Sequence, residues 1–196
     1  MGAFLYGPVH GFMLWNLFLA AIPAALALAL FAVTVPRRVM WWLGFGAWVL
    51  FLPNAPYLLM DVVHMIHDIQ GTRSDGWAYL VIATYGLLFA LGLASYALSL
   101  ELFRWFLRRT VRTGLVAPTI LLVHASCIVA MYLGRRIRIN SWDVFTAPRQ
   151  VAASFLHVPQ PTTLAELAVM FVVVGIGVFV TVAVGDKVVA RARRLL

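Results

Sequence analysis

The sequence predicts an all-α fold, a polytopic membrane helix bundle of about five spans. Two observations carry that prediction. The 196 residues are 63% hydrophobic and only 11% charged, with a mean hydropathy of +0.94. A soluble domain carries about 45–50% apolar and about 25% charged residues. The apolar residues also fall into runs of about 20, the length that crosses a hydrocarbon core of about 30 Å. The whole chain, 1–196, reads as one integral membrane domain.

Met1–Leu14 contains no Lys or Arg. A secretory signal peptide has a basic start and a short apolar core, so the first helix is expected to remain in the mature protein. That span runs from Trp15 to Val35, with Pro23 inside it, and stops at Pro36, Arg37 and Arg38. The next begins at Val39. Its tryptophan pair, Trp41 and Trp42, suits a membrane–water interface.

Pro53 and Pro56 interrupt this second span. A proline removes a helix hydrogen bond and clashes with the preceding turn, and it pushes the residue before it out of the helical region. From Val39 to Pro53 is about 22 Å of helix, short of the far surface. Non-helical backbone is therefore expected at Pro53–Pro56, within the outer part of the membrane. Such backbone is tolerated where protein or a water-filled cavity covers it. Asn54 is placed to cap a new helix over 55–69, with Pro56 in its first turn. At about 100° per residue, Tyr57, Asp61, His64 and Asp68 share an arc of about 60°, opposite Leu59, Val62, Val63 and Ile66. Ionisable groups at membrane depth are costly and mark sites, although a solvated helix face is the plainer account.

The third span, Trp77–Leu100, carries Ala83, Gly86, Ala90, Ala94 and Ala97 at spacings of three and four, a pattern that lets helix backbones approach. A basic loop with Arg104, Arg108, Arg109 and Arg112 follows. The fourth span is Gly114–Leu133, with Pro118 and a mid-span His124 that reads as a packing residue or as part of a site. A short interfacial helix is expected near 148–157. Thr163 and Glu166 form a capping box that opens the fifth span, Leu164–Gly185. The single cysteine, Cys127, excludes an internal disulfide and a cysteine zinc cluster.

The net charge of +8 reports loops at a membrane rather than nucleic acid, for which no aromatic platform is present. With the N-terminus outside, the inner segments hold Arg37, Arg38, the four arginines of 104–112, Lys187, Arg191, Arg193 and Arg194, ten of the 15 basic residues. The positive-inside rule then places the C-terminus in the cytoplasm. Arg135, Arg136 and Arg138 are left on the outer side, where the Asp61 segment also ends.

Three stretches carry a resemblance. They are Trp15-Asn-Leu-Phe-Leu-Ala20, then Leu52-Pro-Asn-Ala-Pro-Tyr57 with Asp61 and His64, and Tyr132-Leu-Gly-Arg135 with Arg138, Asn140, Ser141, Trp142 and Asp143. Together they resemble the DUF1361 family of bacterial multi-pass membrane proteins. The resemblance implies a helical fold and a bacterial inner-membrane location. It assigns no activity, cofactor or catalytic residue.

The residues themselves support three chemistries. Arg135 and Arg138 carry forked donors suited to phosphate or carboxylate. With Asn54, Tyr57, Asp61, His64, Asn140, Trp142 and Asp143 they compose an outward-facing site for an anionic ligand such as a lipid head group. In the second chemistry Asp61, His64 and Asp68 hold a metal, as in a membrane-embedded hydrolase or transferase. In the third the same charges pin the fold as a buried network, or dock a second copy or a partner subunit. A shared site requires an Arg135 or Arg138 guanidinium within hydrogen-bond reach of Asp61, Asp68 or Asp143.

Overall fold

A computed structural model describes residues 8–32, 38–72, 74–136, 143–155 and 160–193. The described residues are helical, with no strand among them. Five helical stretches are long and apolar enough to cross a membrane: Met13–Ala32, Val39–Gly71, Asp75–Thr110, Thr113–Arg135 and Pro161–Gly185. The chain divides into two compact units, Met1–Ser99 and Leu100–Leu196.

In the first unit, α1 (Pro8–Ala27) continues as a π-helical turn, Leu28–Ala32. Met13, Ala20, Pro23 and Ala27 are its buried positions and Asn16 is half-buried. Their spacing of three and four puts them on one stripe. A π turn withdraws carbonyls from the regular ladder. Here the Trp41 indole N–H of α2 (Val39–Phe51) donates to the Leu30 carbonyl at 3.3 Å. Phe31 sits edge-on to Trp48, ring centroids 5.1 Å apart, and Trp41 stacks on Phe45 at 5.4 Å. Of the tryptophan pair, Trp42 is exposed and Trp41 is buried in this aromatic cluster.

The regular α-helix stops at Phe51, where the prolines place the interruption. The form of the interruption differs from the expectation. Pro53 (φ −64°, ψ −20°) and Leu58 (φ −53°, ψ −29°) keep right-handed helical dihedrals, so the backbone tightens instead of unwinding. A short α3 (Asn54–Tyr57) leads into a 3-10 turn, Leu58–Asp61, and then into α4 (Val62–Gly71). Asn54 caps nothing. Its side-chain amide donates to the Phe51 carbonyl at 3.0 Å, one of the carbonyls that a helix end leaves without a partner.

α5 (Asp75–Thr110) is a single helix of 36 residues. The basic segment expected as a loop is helical as far as Thr110, with Arg112 in the link that follows. Arginine is a good helix former, and Phe103 and Leu107 supply a buried stripe that extends the helix past the membrane-length run. The small-residue pattern also faces elsewhere than expected: Ala83, Gly86, Ala90 and Ala94 are exposed, and only Ala97 is buried. Gly92 makes the close approach instead. A Cβ placed there would lie 2.6 Å from the Ala55 carbonyl oxygen and 2.9 Å from Leu58 Cδ1. Beside it, the Ser95 hydroxyl donates to the Ala20 carbonyl at 2.5 Å.

In the second unit, α6 (Thr113–Arg136) packs on α9 (Pro161–Arg193). Between them lie α7 (Asp143–Thr146) and α8 (Pro148–Ser154), the latter within the stretch expected as a short helix. α9 starts three residues before the expected position. Pro161 takes the first turn, and the Leu164 N–H donates to the Gln160 carbonyl at 2.9 Å, as proline at a helix start permits. Thr163 is thus inside the helix and forms no capping box. Its hydroxyl is buried and hydrogen-bonds the Tyr132 hydroxyl of α6 at 3.0 Å. His124 packs between α6 and α9. Its Nε2–H donates to the Phe171 carbonyl of α9 at 3.1 Å, with the two rings edge to face.

Candidate functional site

The 3-10 turn decides what the Asp61 segment buries. Leu52, Ala55, Leu58 and Asp61 are each buried to 3% exposure or less. They recur every third residue. On an α-helix a spacing of three drifts by about 60° per step, whereas a 3-10 turn has three residues per turn and stacks positions i and i+3. The tightened turn over 58–61 therefore carries Asp61 around to the apolar seam. The α-helical wheel had placed it on a polar stripe.

A carboxylate in such a seam needs donors, because burying an uncompensated charge costs several kcal/mol. Asn16 of α1 supplies one, its Nδ2–H donating to Asp61 Oδ2 at 3.2 Å. One α-helical turn further on, the Nδ1 of His64 lies 3.6 Å from Asp61 Oδ1. The two side chains differ sharply in setting: that of Asp61 is 5% exposed, that of His64 62%. The pair thus joins a buried carboxyl group to an imidazole that faces outward.

Three other polar groups of the segment belong to the predicted sites. Tyr57 and Asn54 are half-buried. Asp68 accepts a hydrogen bond of 2.8 Å from the hydroxyl of Tyr85 of α5, whose side chain is buried against Met13 and Leu88. Two acids of one segment are therefore each tied to a different helix, Asp61 to α1 and Asp68 to α5. Among the described residues, no three His, Cys, Asp or Glu side chains are grouped to hold a metal ion.

In the second unit, Arg135 is exposed on the last turn of α6, and Asp143 is half-buried as the first residue of α7. Asp143 Oδ1 accepts from the Thr146 hydroxyl at 3.2 Å. Arg138, Asn140 and Trp142 lie outside the described residues. Asp61 belongs to one unit and Arg135 to the other, and each is described within its own unit.

Asn16 escaped the site reading. The signal for it is present in the sequence. It is the one polar residue in the series Met13, Asn16, Ala20, Pro23, Ala27, which is otherwise apolar and spaced as a helix seam. A polar side chain in such a seam seeks a partner across the packing interface. It also sits in the first of the three stretches that carry the family resemblance.

No curated protein and no solved structure matches this chain. The family model DUF1361, described as a protein of unknown function, matches residues 15–181. That range takes in the Asn16, Asp61 and Arg135 segments and all five candidate spans except the first two residues of the first and the last turn of the fifth. The chain is a multi-pass membrane protein and belongs to the DUF1361 family.

Proposed function

We propose that this chain is a bacterial inner-membrane protein, N-terminus outside and C-terminus in the cytoplasm, that holds an anionic ligand of the lipid head-group class beside Asp61. The observation that carries the reading is the Asp61–His64 pair, a buried carboxylate held by Asn16 with an exposed imidazole 3.6 Å away. When protonated, an imidazole ring donates from both nitrogens. Nδ1 faces Asp61, and Nε2 is the ring's second donor, the one the reading assigns to the ligand. Depth supports a lipid source. Counted from Val39 at about 1.5 Å per residue, Asp61 lies about 33 Å along the span, close to the far edge of the hydrocarbon, and His64 lies at head-group depth.

Titrating purified protein with short-chain phosphatidylglycerol tests the reading, with short-chain phosphatidylcholine as the neutral control. A hydrogen bond to a charged group contributes about 1.5–3 kcal/mol, so His64→Ala should weaken phosphatidylglycerol binding by about tenfold or more. Equal binding of the two lipids by the wild type, or unchanged binding in the variant, contradicts it.

A second reading has its own support. The Asn16–Asp61 and Tyr85–Asp68 bonds tie one segment to two helices, as a fold-pinning network would. On that reading stability alone responds to substitution.

A further inference from the structure

We infer that the C-terminal turns of α5 form a binding face for the head groups of anionic phospholipids, independent of the site beside Asp61. α5 is longer than a bilayer requires. Its 36 residues reach about 54 Å at about 1.5 Å per residue, against about 30 Å of hydrocarbon. Exposed Trp77 and exposed Trp105 lie near its two ends. They are about 42 Å apart along the helix, close to the span of a bilayer with its interfacial regions, about 40–45 Å. Tryptophan favours both interfaces. Trp105 therefore marks the level at which the helix leaves the hydrocarbon.

At and beyond that level the helix has two faces. Phe103 and Leu107 are buried. On the other side, Arg104, Trp105, Arg108 and Arg109 fall within an arc of about 140°, and Arg112 follows in the link to α6. Glu101 ion-pairs with Arg104. The Arg109 guanidinium lies over the Trp105 ring, 3.3 Å from its centroid. A cation held over an indole is stabilised there. Arg108, Arg109 and Arg112 are exposed, and among the described residues no carboxylate stands within ion-pair distance of any of them. Three guanidiniums at head-group depth, one pre-set on an interfacial tryptophan, match the phosphodiester of an anionic lipid in charge and in bidentate geometry.

Hydrogen–deuterium exchange over 101–112 reads this face locally in the full chain. The protein is placed in bilayers of phosphatidylcholine alone, or of phosphatidylcholine mixed with phosphatidylglycerol. Exchange in this segment should slow when phosphatidylglycerol is present, and high salt should remove the difference by screening. The triple variant Arg108→Gln, Arg109→Gln, Arg112→Gln should lose the lipid dependence while 84–98 exchanges as in the wild type. Equal exchange in both bilayers overturns the inference and leaves an acidic protein surface as the occupant of this face. A triple variant that keeps the lipid dependence overturns it as well. His64 is untouched throughout, so this outcome and that of the His64 titration are separate.

Discussion

Gly92→Leu should prevent the first unit from assembling, and Gly92→Ala should lower its stability by about 1–3 kcal/mol, the range for overpacking a close contact. The reason is that the nearest obstacle is backbone. A Cβ at residue 92 would stand 2.6 Å from the Ala55 carbonyl oxygen, and Leu58 would crowd it at 2.9 and 3.1 Å. A side chain could swing aside, but the Ala55 carbonyl is fixed by the tightened helix around Pro53 and Pro56. Relief requires α5 to move away from that segment, which would open the seam of Leu52, Ala55, Leu58 and Asp61. The contrast is Gly86, six residues earlier on the same helix, where an added Cβ meets nothing within 4 Å. Gly86→Ala should therefore be neutral or slightly stabilising, since alanine is the better helix former. Thermal unfolding in detergent measures all three variants. Equal effects at 86 and 92 would refute the packing described here.

Asn16→Leu should cost about 1.5–3 kcal/mol, the worth of a hydrogen bond to a charged group, because Asp61 stays in an apolar seam without its amide donor. Asp61→Leu should cost less, about 1 kcal/mol, since it removes the charge and strands only a half-buried neutral amide. The double variant Asn16→Leu, Asp61→Leu should be more stable than the sum of the single losses implies. A double-mutant cycle by thermal unfolding gives the coupling, expected at about 1 kcal/mol or more. Strict additivity would show that the 3.2 Å contact carries no energy.

How far these features could be read from the residues depends on what each one depends on. The five spans were legible because hydrophobic length is a property of composition alone. The interruption after Phe51 was legible because proline chemistry is local. Its form was not: whether a proline pair unwinds a helix or tightens it is settled by what packs around it, here Gly92 and its neighbours on a distant helix. That difference moved Asp61, since a wheel drawn at 3.6 residues per turn cannot place a residue at the end of a 3-10 turn. The small residues of α5 misled for a related reason. Spacing identifies a face that could approach another helix without saying which face does, and the buried glycine is one outside the regular series. The basic segment after Leu100 read as a loop by its charge, yet Phe103 and Leu107 held it helical. Asn16 was visible as a polar break in an apolar seam, but its partner lies 45 residues away.

The central claim is that Asp61, held by Asn16, presents the His64 imidazole to an anionic head group. Nitrogen NMR of protein labelled at its histidines reads that ring directly, with the buried His124, tied to the Phe171 carbonyl, as an internal reference. Adding short-chain phosphatidylglycerol should shift the His64 resonance and leave His124 in place, phosphatidylcholine should shift neither, and Asp61→Asn should diminish the response. A His64 resonance unmoved by phosphatidylglycerol in the wild type would contradict the account.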